Sequence, residues 1–518
     1  MKQFVLLLLL VLTIASIASS QSSASIRVQV SDPGATISRH IYGHFSEHLG
    51  RCIYDGFWVS DTSTLPRKDR IRLDIVEALR KIRIPNLRWP GGCFADEYHW
   101  RDGVGPRPDR PRMINTNWGN VMEDNSFGTH EFLELCELLG AEPYICGNVG
   151  SGTVEEMSKW VEYLNFDGLS PMTEWRAKNG RPKPWNVQYW GVGNENWGCG
   201  GNMTAEFYAD QYRRYASYAK DYPGTVLRKI AGGPSSADYH WTETLMKKIP
   251  LNLMWGISLH HYVVPNSWAD KGSATRFDEA EYARSMQKCL FMEELISKHS
   301  TIMDRYDPQR KVALVVDEWG IWTNPEPGTN PAFLFQQNSI RDALVAASTL
   351  NIFNNHSERV KMANLAQTVN VLQALILTKG KQMLLTPTYY VFDLFQVHQE
   401  AKKLDVRLNS PGYGVGADQF DALNVSASVQ ADGIVYITIV NLDPQKTISS
   451  NLFADMGELN PVAGKVLSGK SFTDYNSFER PDAVIIQPFR NFQKVDGKWQ
   501  IKLPPLSVVQ LQCKAAAL

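Results

Sequence analysis

Two glutamates in separate parts of the chain are placed for the same kind of chemistry. Glu195 lies in Trp190-Gly-Val-Gly-Asn-Glu-Asn-Trp197 and Glu318 in Val315-Val-Asp-Glu-Trp-Gly320, each at the end of an apolar run that reads as a buried parallel strand. Glycosidic bonds are cleaved by two carboxyl groups flanking the sugar: one protonates the departing oxygen, and the other attacks the anomeric carbon or activates water. Glu195 and Glu318 are therefore the candidate acid/base and nucleophile. A glutamate closing a strand is common on its own. Asn194 before one of them and a tryptophan behind each set this pair apart.

Two further motifs carry reactive side chains. His44-Phe-Ser-Glu-His48 matches the H-x-x-E-H pattern of some zinc proteases. That chemistry needs a helix to bring both histidines to one face, whereas Ile41-Tyr-Gly43 reads as a strand and Gly50 follows closely. No metal site is expected here; Glu47 reads as a ligand for a sugar hydroxyl, and His44 and His48 as core or supporting histidines. Arg88-Trp-Pro-Gly-Gly-Cys-Phe94 ends a strand in a Gly-Gly turn that lets backbone approach a ligand closely, and Cys93 fits either a pocket wall or a small buried hydrophobe. Gly91-Gly92 lacks the third glycine and the helix of a nucleotide loop, and no Walker sequence is present, so no cofactor is expected.

The elements that must hold these residues follow from the hydrophobic pattern. Between about Ile41 and Leu385 short apolar strands alternate with amphipathic helices such as Ile71, Ile75, Leu79 and Ile82, as expected for repeated β-α units. Strands are expected at Ile41–Phe45, Asn86–Trp89, Pro143–Gly147, Val187–Val192, Lys229–Ala231, Gly256–His260, Val312–Val316 and Val360–Leu365. Eight of them imply a closed (β/α)₈ TIM barrel, whose chemistry sits at the carboxyl ends of the strands. Glu47, Cys93, Asn148, Asn194, Glu195, His260, His261, Tyr262 and Glu318 all fall at or just past those ends. After about Thr388 the pattern becomes all-β: Leu423, Val425, Ala427 and Val429 alternate with polar residues, and Asp432-Gly433 and Asp496-Gly497 mark hairpins. This reads as a C-terminal β-sandwich, jelly-roll-like, completed by an N-terminal strand at Ile26–Val30 and packed rigidly, because no Ser/Gly-rich linker separates it.

The expected division is therefore residues 1–20 as a signal peptide, 21–40 as a strand joining the sandwich, 41–387 as the catalytic barrel and 388–518 as the sandwich. Lys2, the apolar run Phe4–Leu12 and then Ala15, Ala18 and Ser20 have the three regions of a secretory signal, so cleavage near Ser20 and export as a soluble protein are expected. No later segment is long and apolar enough for a membrane span. Lys and Arg number 53 against 54 Asp and Glu, without an evident basic block, which gives a nucleic-acid partner no support. The 15 Trp, 20 Tyr and 21 Phe suit stacking on sugars, although most must serve ordinary packing. Seven cysteines (52, 93, 136, 146, 199, 289, 513) without any C-x-x-C indicate neither a zinc ribbon nor a dense disulfide framework, and at least one thiol should be free. Asn202, Asn355 and Asn424 are sequons that matter only in a glycosylating host.

Gly43-His-Phe-Ser-Glu-His-Leu-Gly50, Arg88-Trp-Pro-Gly-Gly-Cys93, Gly193-Asn-Glu-Asn-Trp-Gly-Cys-Gly-Gly201, Ser258-Leu-His-His-Tyr262, Val316-Asp-Glu-Trp-Gly320 and Ala363-Asn-Leu-Ala-Gln367 together resemble glycoside hydrolase family 51, the α-L-arabinofuranosidases. The match runs in order over nearly the whole mature chain, and Asn476-Ser-Phe-Glu-Arg-Pro-Asp482 with Leu503-Pro-Pro505 resembles that family's sandwich. The resemblance implies an acid/base after strand four, next to an Asn, and a nucleophile after strand seven, where the strand count puts Glu195 and Glu318. It implies that Asn194 meets the sugar 2-hydroxyl and that Glu47, Cys93, Tyr262 and Gln367 are furanose contacts. It also implies that the protein can form a homo-oligomer.

The function expected is retaining, exo-acting removal of terminal α-L-arabinofuranosyl groups from arabinan, arabinoxylan and arabino-oligosaccharides, with plant polysaccharides as partners and neither nucleic acid nor membrane. The loops around Trp118 and Trp322, where such enzymes differ, leave the leaving-group side open. An endo-acting glucanase or xylanase could use the same pair on this barrel. A non-catalytic carbohydrate-binding protein would lack one of the carboxylates.

Overall fold

The computed structural model describes residues 24–516; the expected signal segment 1–20 and its cleavage point lie outside them. Eight parallel strands close a barrel in sequence order: β1 (Gly43–Phe45), β2 (Asn86–Trp89), β3 (Glu142–Gly147), β4 (Tyr189–Val192), β5 (Arg228–Ala231), β6 (Gly256–Val263), β7 (Ala313–Ile321) and β8 (Val360–Ala366). Every strand expected from the sequence is present, with ends shifted by a few residues. The strands are mostly buried because both faces are covered, the inner by barrel side chains and the outer by helices, and the polar residues they carry, such as Arg88, His260, Asp317 and Glu318, are buried with them. All nine residues of β7 are buried. Helix Leu73–Lys81 shows how the outer layer forms, turning Ile75, Val76 and Leu79 inward at helical spacing.

Two irregularities in this barrel matter for chemistry. The register between β6 and β7 shifts between Ser258 and His260, and that between β7 and β8 shifts between Val316 and Trp319. An extra residue at such a bulge re-aims side chains that strict alternation would send to opposite faces. Asp317 and Glu318, although adjacent, consequently both reach the same polar cluster.

The C-terminal region is two sheets around a second core. One runs Val406–Asn409, Ala24–Val28, Ile448–Ala454, Lys498–Leu503, Phe492–Val495; the other runs Lys402–Leu404, Leu423–Val429, Ile434–Asn441, Ser507–Ala516, Glu458–Ser468, Gln487–Pro488. Ile26 and Val28 share that core with Val425, Ile437, Ile439 and Leu511, so the first described strand is part of the second module. The alternate polar residues Ser426, Ser428 and Thr438 of the second sheet are buried rather than solvated. Ser426 and Thr438 donate to Asn351 of helix Ile340–Asn355 at 2.6 and 3.0 Å, and His398 bridges Ser428 and Thr438. A buried, hydrogen-bonded polar seam joins the modules. Residue 387 begins helix Pro387–Phe395, which packs on Ile340–Asn355.

Candidate active site

The carboxyl ends of β1, β2, β4, β6, β7 and β8 converge on one cluster. Just after β4, Gly193 (φ +82) and Glu195 (φ +42) take left-handed backbone conformations, a costly choice for a glutamate that a tight turn imposes. The turn is closed by Gly198 and Gly200 N–H groups on the Glu195 carbonyl, at 2.7 and 3.1 Å. Glu195 and Glu318 offer carboxylate oxygens that lie, with a nitrogen of His260, within 4.8 Å of one another.

Each carboxyl is held differently. Glu318 accepts from Arg88 Nη1 and from the Tyr262 hydroxyl, both at 2.8 Å. Glu195 Oε1 accepts from His260 Nδ1 at 2.9 Å, and the other His260 nitrogen donates to Asp317 Oδ1 at 3.1 Å. Burial alone would lower the His260 pKa, but Glu318, Asp317 and Glu195 outweigh it and raise it to about 10. The imidazolium thus donates from both nitrogens. Burial and then the neighbouring Glu318 charge push the Glu195 pKa up. Arg88 and His260 supply two positive charges against the Asp317 and Glu318 carboxylates, so the cluster balances with Glu195 protonated.

The other expected site residues surround this pair. Glu47 Oε1 accepts from Phe94 N–H at 3.1 Å and Trp118 Nε1 at 2.9 Å, and its Oε2 accepts from Gln367 Nε2 at 3.2 Å. Burial and then Glu318 raise its pKa to about 7. Asn194 donates its backbone N–H to Asp96 at 2.9 Å and accepts from Arg88, while its buried Nδ2 has no partner among the described residues. A buried amide donor in that state is available to a substrate hydroxyl. Tyr262 packs edge-on against Trp322. Cys93 is neither a free thiol nor a buried hydrophobe: it is bonded to Cys199 and flanks Glu195. The other cysteines (52, 136, 146, 289, 513) are free and buried.

The H-x-x-E-H residues diverge. His44 packs on Phe392, has no hydrogen-bond partner and is driven by burial to a pKa of about 3. His48 accepts from Trp89 Nε1 at 3.1 Å and faces Glu123. Neither joins Glu47 in a set of convergent ligand atoms.

Sequence reasoning gave no role to four residues of this cluster. Arg88 was visible only as part of its motif, and His260 only as one of a polar group. Asp317 would be sent to the opposite face from Glu318 by ordinary alternation. Trp118 reaches Glu47 from a loop. From Glu195 a cavity of about 1180 Å³ opens outward past Trp197, Trp268, Phe291, Trp322 and Phe420. It holds far more than one furanose ring and is walled by aromatic faces on which sugars stack.

Family models described as "Alpha-L-arabinofuranosidase 1 domain" and "Alpha-L-arabinofuranosidase C-terminal domain" match residues 78–281 and 317–507. An intracellular exo-α-L-arabinofuranosidase of Bacteroides ovatus is 49% identical over 494 residues, covering 95% of this chain and 96% of the relative. The crystal structure of a family-51 arabinofuranosidase from Xanthomonas axonopodis pv. citri superposes with a TM-score of 0.93 at 48% identity, over 95% of this chain and 100% of that one. An arabinose complex of the Thermotoga maritima α-L-arabinofuranosidase gives 0.83 at 31% identity, over 95% and 99%. The expectation of a signal peptide and export is overturned: a relative aligned over nearly the whole chain is an intracellular enzyme. An apolar start followed by small residues meets the compositional pattern of a signal without establishing that it acts as one.

Proposed function

From a chain that belongs to glycoside hydrolase family 51, the α-L-arabinofuranosidases, we propose a retaining, exo-acting enzyme in which Glu318 is the nucleophile and Glu195 the acid/base. Its substrates on this reading are terminal α-L-arabinofuranosyl groups of arabinan, arabinoxylan and their oligosaccharides. The observation that carries the mechanism is that one carboxylate oxygen of Glu195 and one of Glu318 lie within 4.8 Å of each other. Retaining enzymes hold this pair about 5–5.5 Å apart, whereas inverting ones leave about 6.5–9.5 Å for a water.

Glu318, aligned by Arg88 and Tyr262, attacks the anomeric carbon while Glu195 gives its proton to the glycosidic oxygen. Once Glu318 is esterified its charge is gone, the penalty on a Glu195 anion falls, and Glu195 takes a proton from the incoming water. His260 remains hydrogen-bonded to Glu195 through both steps and fixes its orientation. Glu47, Asn194, Tyr262 and Gln367, with the Cys93 sulfur, bind the furanose; residues 41–387 form the catalytic unit, with residues 21–40 and 388–518 as its supporting module. Proton NMR of the first product from an aryl α-L-arabinofuranoside tests the reading. Arabinose of the substrate's anomeric configuration is expected, and initial inversion removes Glu318 as nucleophile.

A further inference from the structure

The acid/base carboxyl has one oxygen tied and one untied. Glu195 Oε1 is held by His260, whereas the polar partners of Oε2 among the described residues are two sulfurs: Cys199 Sγ at 3.5 Å and Cys93 Sγ at 3.9 Å. Joined in a disulfide, neither sulfur carries a hydrogen, so these are packing contacts and Oε2 keeps its proton for a leaving group. The bridge joins the loop after β2 to the loop after β4 across 106 residues, with Cys199 exposed to solvent and Cys93 half-buried. The mechanism derived above uses Cys93 only as a furanose contact and does not use Cys199 at all.

We propose that Cys199, through its bond to Cys93, is a positioning residue for the acid/base, and that opening this bond turns both sulfurs into donors to Glu195 Oε2, weakening leaving-group protonation. The proposal rests on Glu195 being the acid/base. A dithiol opens the bridge by exchange: it gives up two protons and two electrons to become its own disulfide, and Cys93 and Cys199 each gain a hydrogen. The thiols then stand beside Oε2 with hydrogens to donate, and a bond donated to the ionised form favours that form. The charged and titratable groups around Glu195 do not change with the bridge. They are His260 and Tyr262 on β6, Asp317 and Glu318 on β7, Arg88 on β2 and Glu47 after β1. The other cysteines are buried away from reductant, which leaves this bridge as the accessible redox element among the described residues.

The test measures kcat/KM across aryl α-L-arabinofuranosides of graded leaving-group pKa, and its pH profile, with and without dithiothreitol. Counting titratable thiols establishes whether the bond is open. The reduced enzyme should lose about tenfold on the poorest leaving groups and little on the best, and its basic limb should move down by about one pH unit. Two variants separate donation from mere loss of the link. The double variant Cys93→Ser/Cys199→Ser, with hydroxyl donors, should show the steep dependence whether or not reductant is present. The double variant Cys93→Ala/Cys199→Ala, without donors, should keep the shallow dependence of the bridged enzyme even if its absolute rate falls. A bridge that the dithiol cannot open, an open bridge with unchanged profile, or identical slopes for the two double variants overturns the proposal. The bridged parent is the control for the underlying reading: if its rate survives Glu195→Ala on poor leaving groups, it is the acid/base assignment that has failed.

Discussion

Replacing His260 by Gln should remove a pH-dependent part of the protein's stability along with its activity. The imidazole is buried and hydrogen-bonded to two carboxyls, with a third, Glu318, at 3.6 Å. Its pKa is about 10 in the folded state, against an ordinary value of 6.5. A folded pKa raised in this way stabilises fully below pH 6.5, where both states carry the proton. The contribution then falls as pH rises through the interval and is gone above pH 10, where neither state carries it. The whole shift corresponds to a ceiling of roughly 5 kcal/mol. Part of that belongs equally to Asp317 and Glu195, and some is already lost above pH 6.5, which leaves about 2 to 4 kcal/mol attached to this side chain at neutral pH. Denaturant unfolding of both proteins from pH 6 to 10 measures it. The gap between parent and His260→Gln should narrow by that amount across the range, and kcat/KM should fall most on substrates needing protonation. A gap that stays constant from pH 6 to 10 would refute the imidazolium and, with it, the charge balance that keeps Glu195 protonated.

Three further outcomes follow from the same geometry. Glu195→Ala should retain turnover on aryl substrates with good leaving groups and gain from azide, because such groups need little protonation and a small anion can replace the activated water; equal losses on good and poor leaving groups would contradict its role. Glu47→Gln should cost roughly ten- to two-hundredfold in kcat/KM, the loss of a charge-assisted bond of about 1.5–3 kcal/mol to a sugar hydroxyl, without changing the leaving-group dependence. Prolonged chelation should leave activity unchanged, since His44, Glu47 and His48 point to different partners; stoichiometric zinc lost together with activity would restore the metal reading.

The barrel was legible because short strand-like segments with apolar residues alternate with helices of clear period, and all eight strands reappear. Their ends were less legible. Residues 39–42 form a short 3₁₀ turn before β1, and β6 and β7 run several residues further than expected, because bulges absorb polar residues that would otherwise end a strand. The two glutamates could be found from strand ends and neighbours. Their partners could not, since Arg88, His260 and Asp317 are joined only by distance in the folded state. The Cys93–Cys199 bond is in the same position: its ends lie 106 residues apart with no spacing signal. Ser426, Ser428 and Thr438 form the polar seam against the barrel, which alternation with apolar neighbours does not distinguish from a solvated face.

Trapping the intermediate tests the central claim most directly. Incubating Glu195→Ala with an aryl α-L-arabinofuranoside of low leaving-group pKa should let the first step proceed and stall the second, so a pentosyl ester accumulates. Peptide mass mapping after rapid acid quench should place that ester on the peptide bearing Val315-Val-Asp-Glu-Trp-Gly320, at Glu318. An ester on Glu47 or any other residue would contradict the account, as would turnover of that substrate without a covalent adduct under conditions that trap one in a family-51 control enzyme.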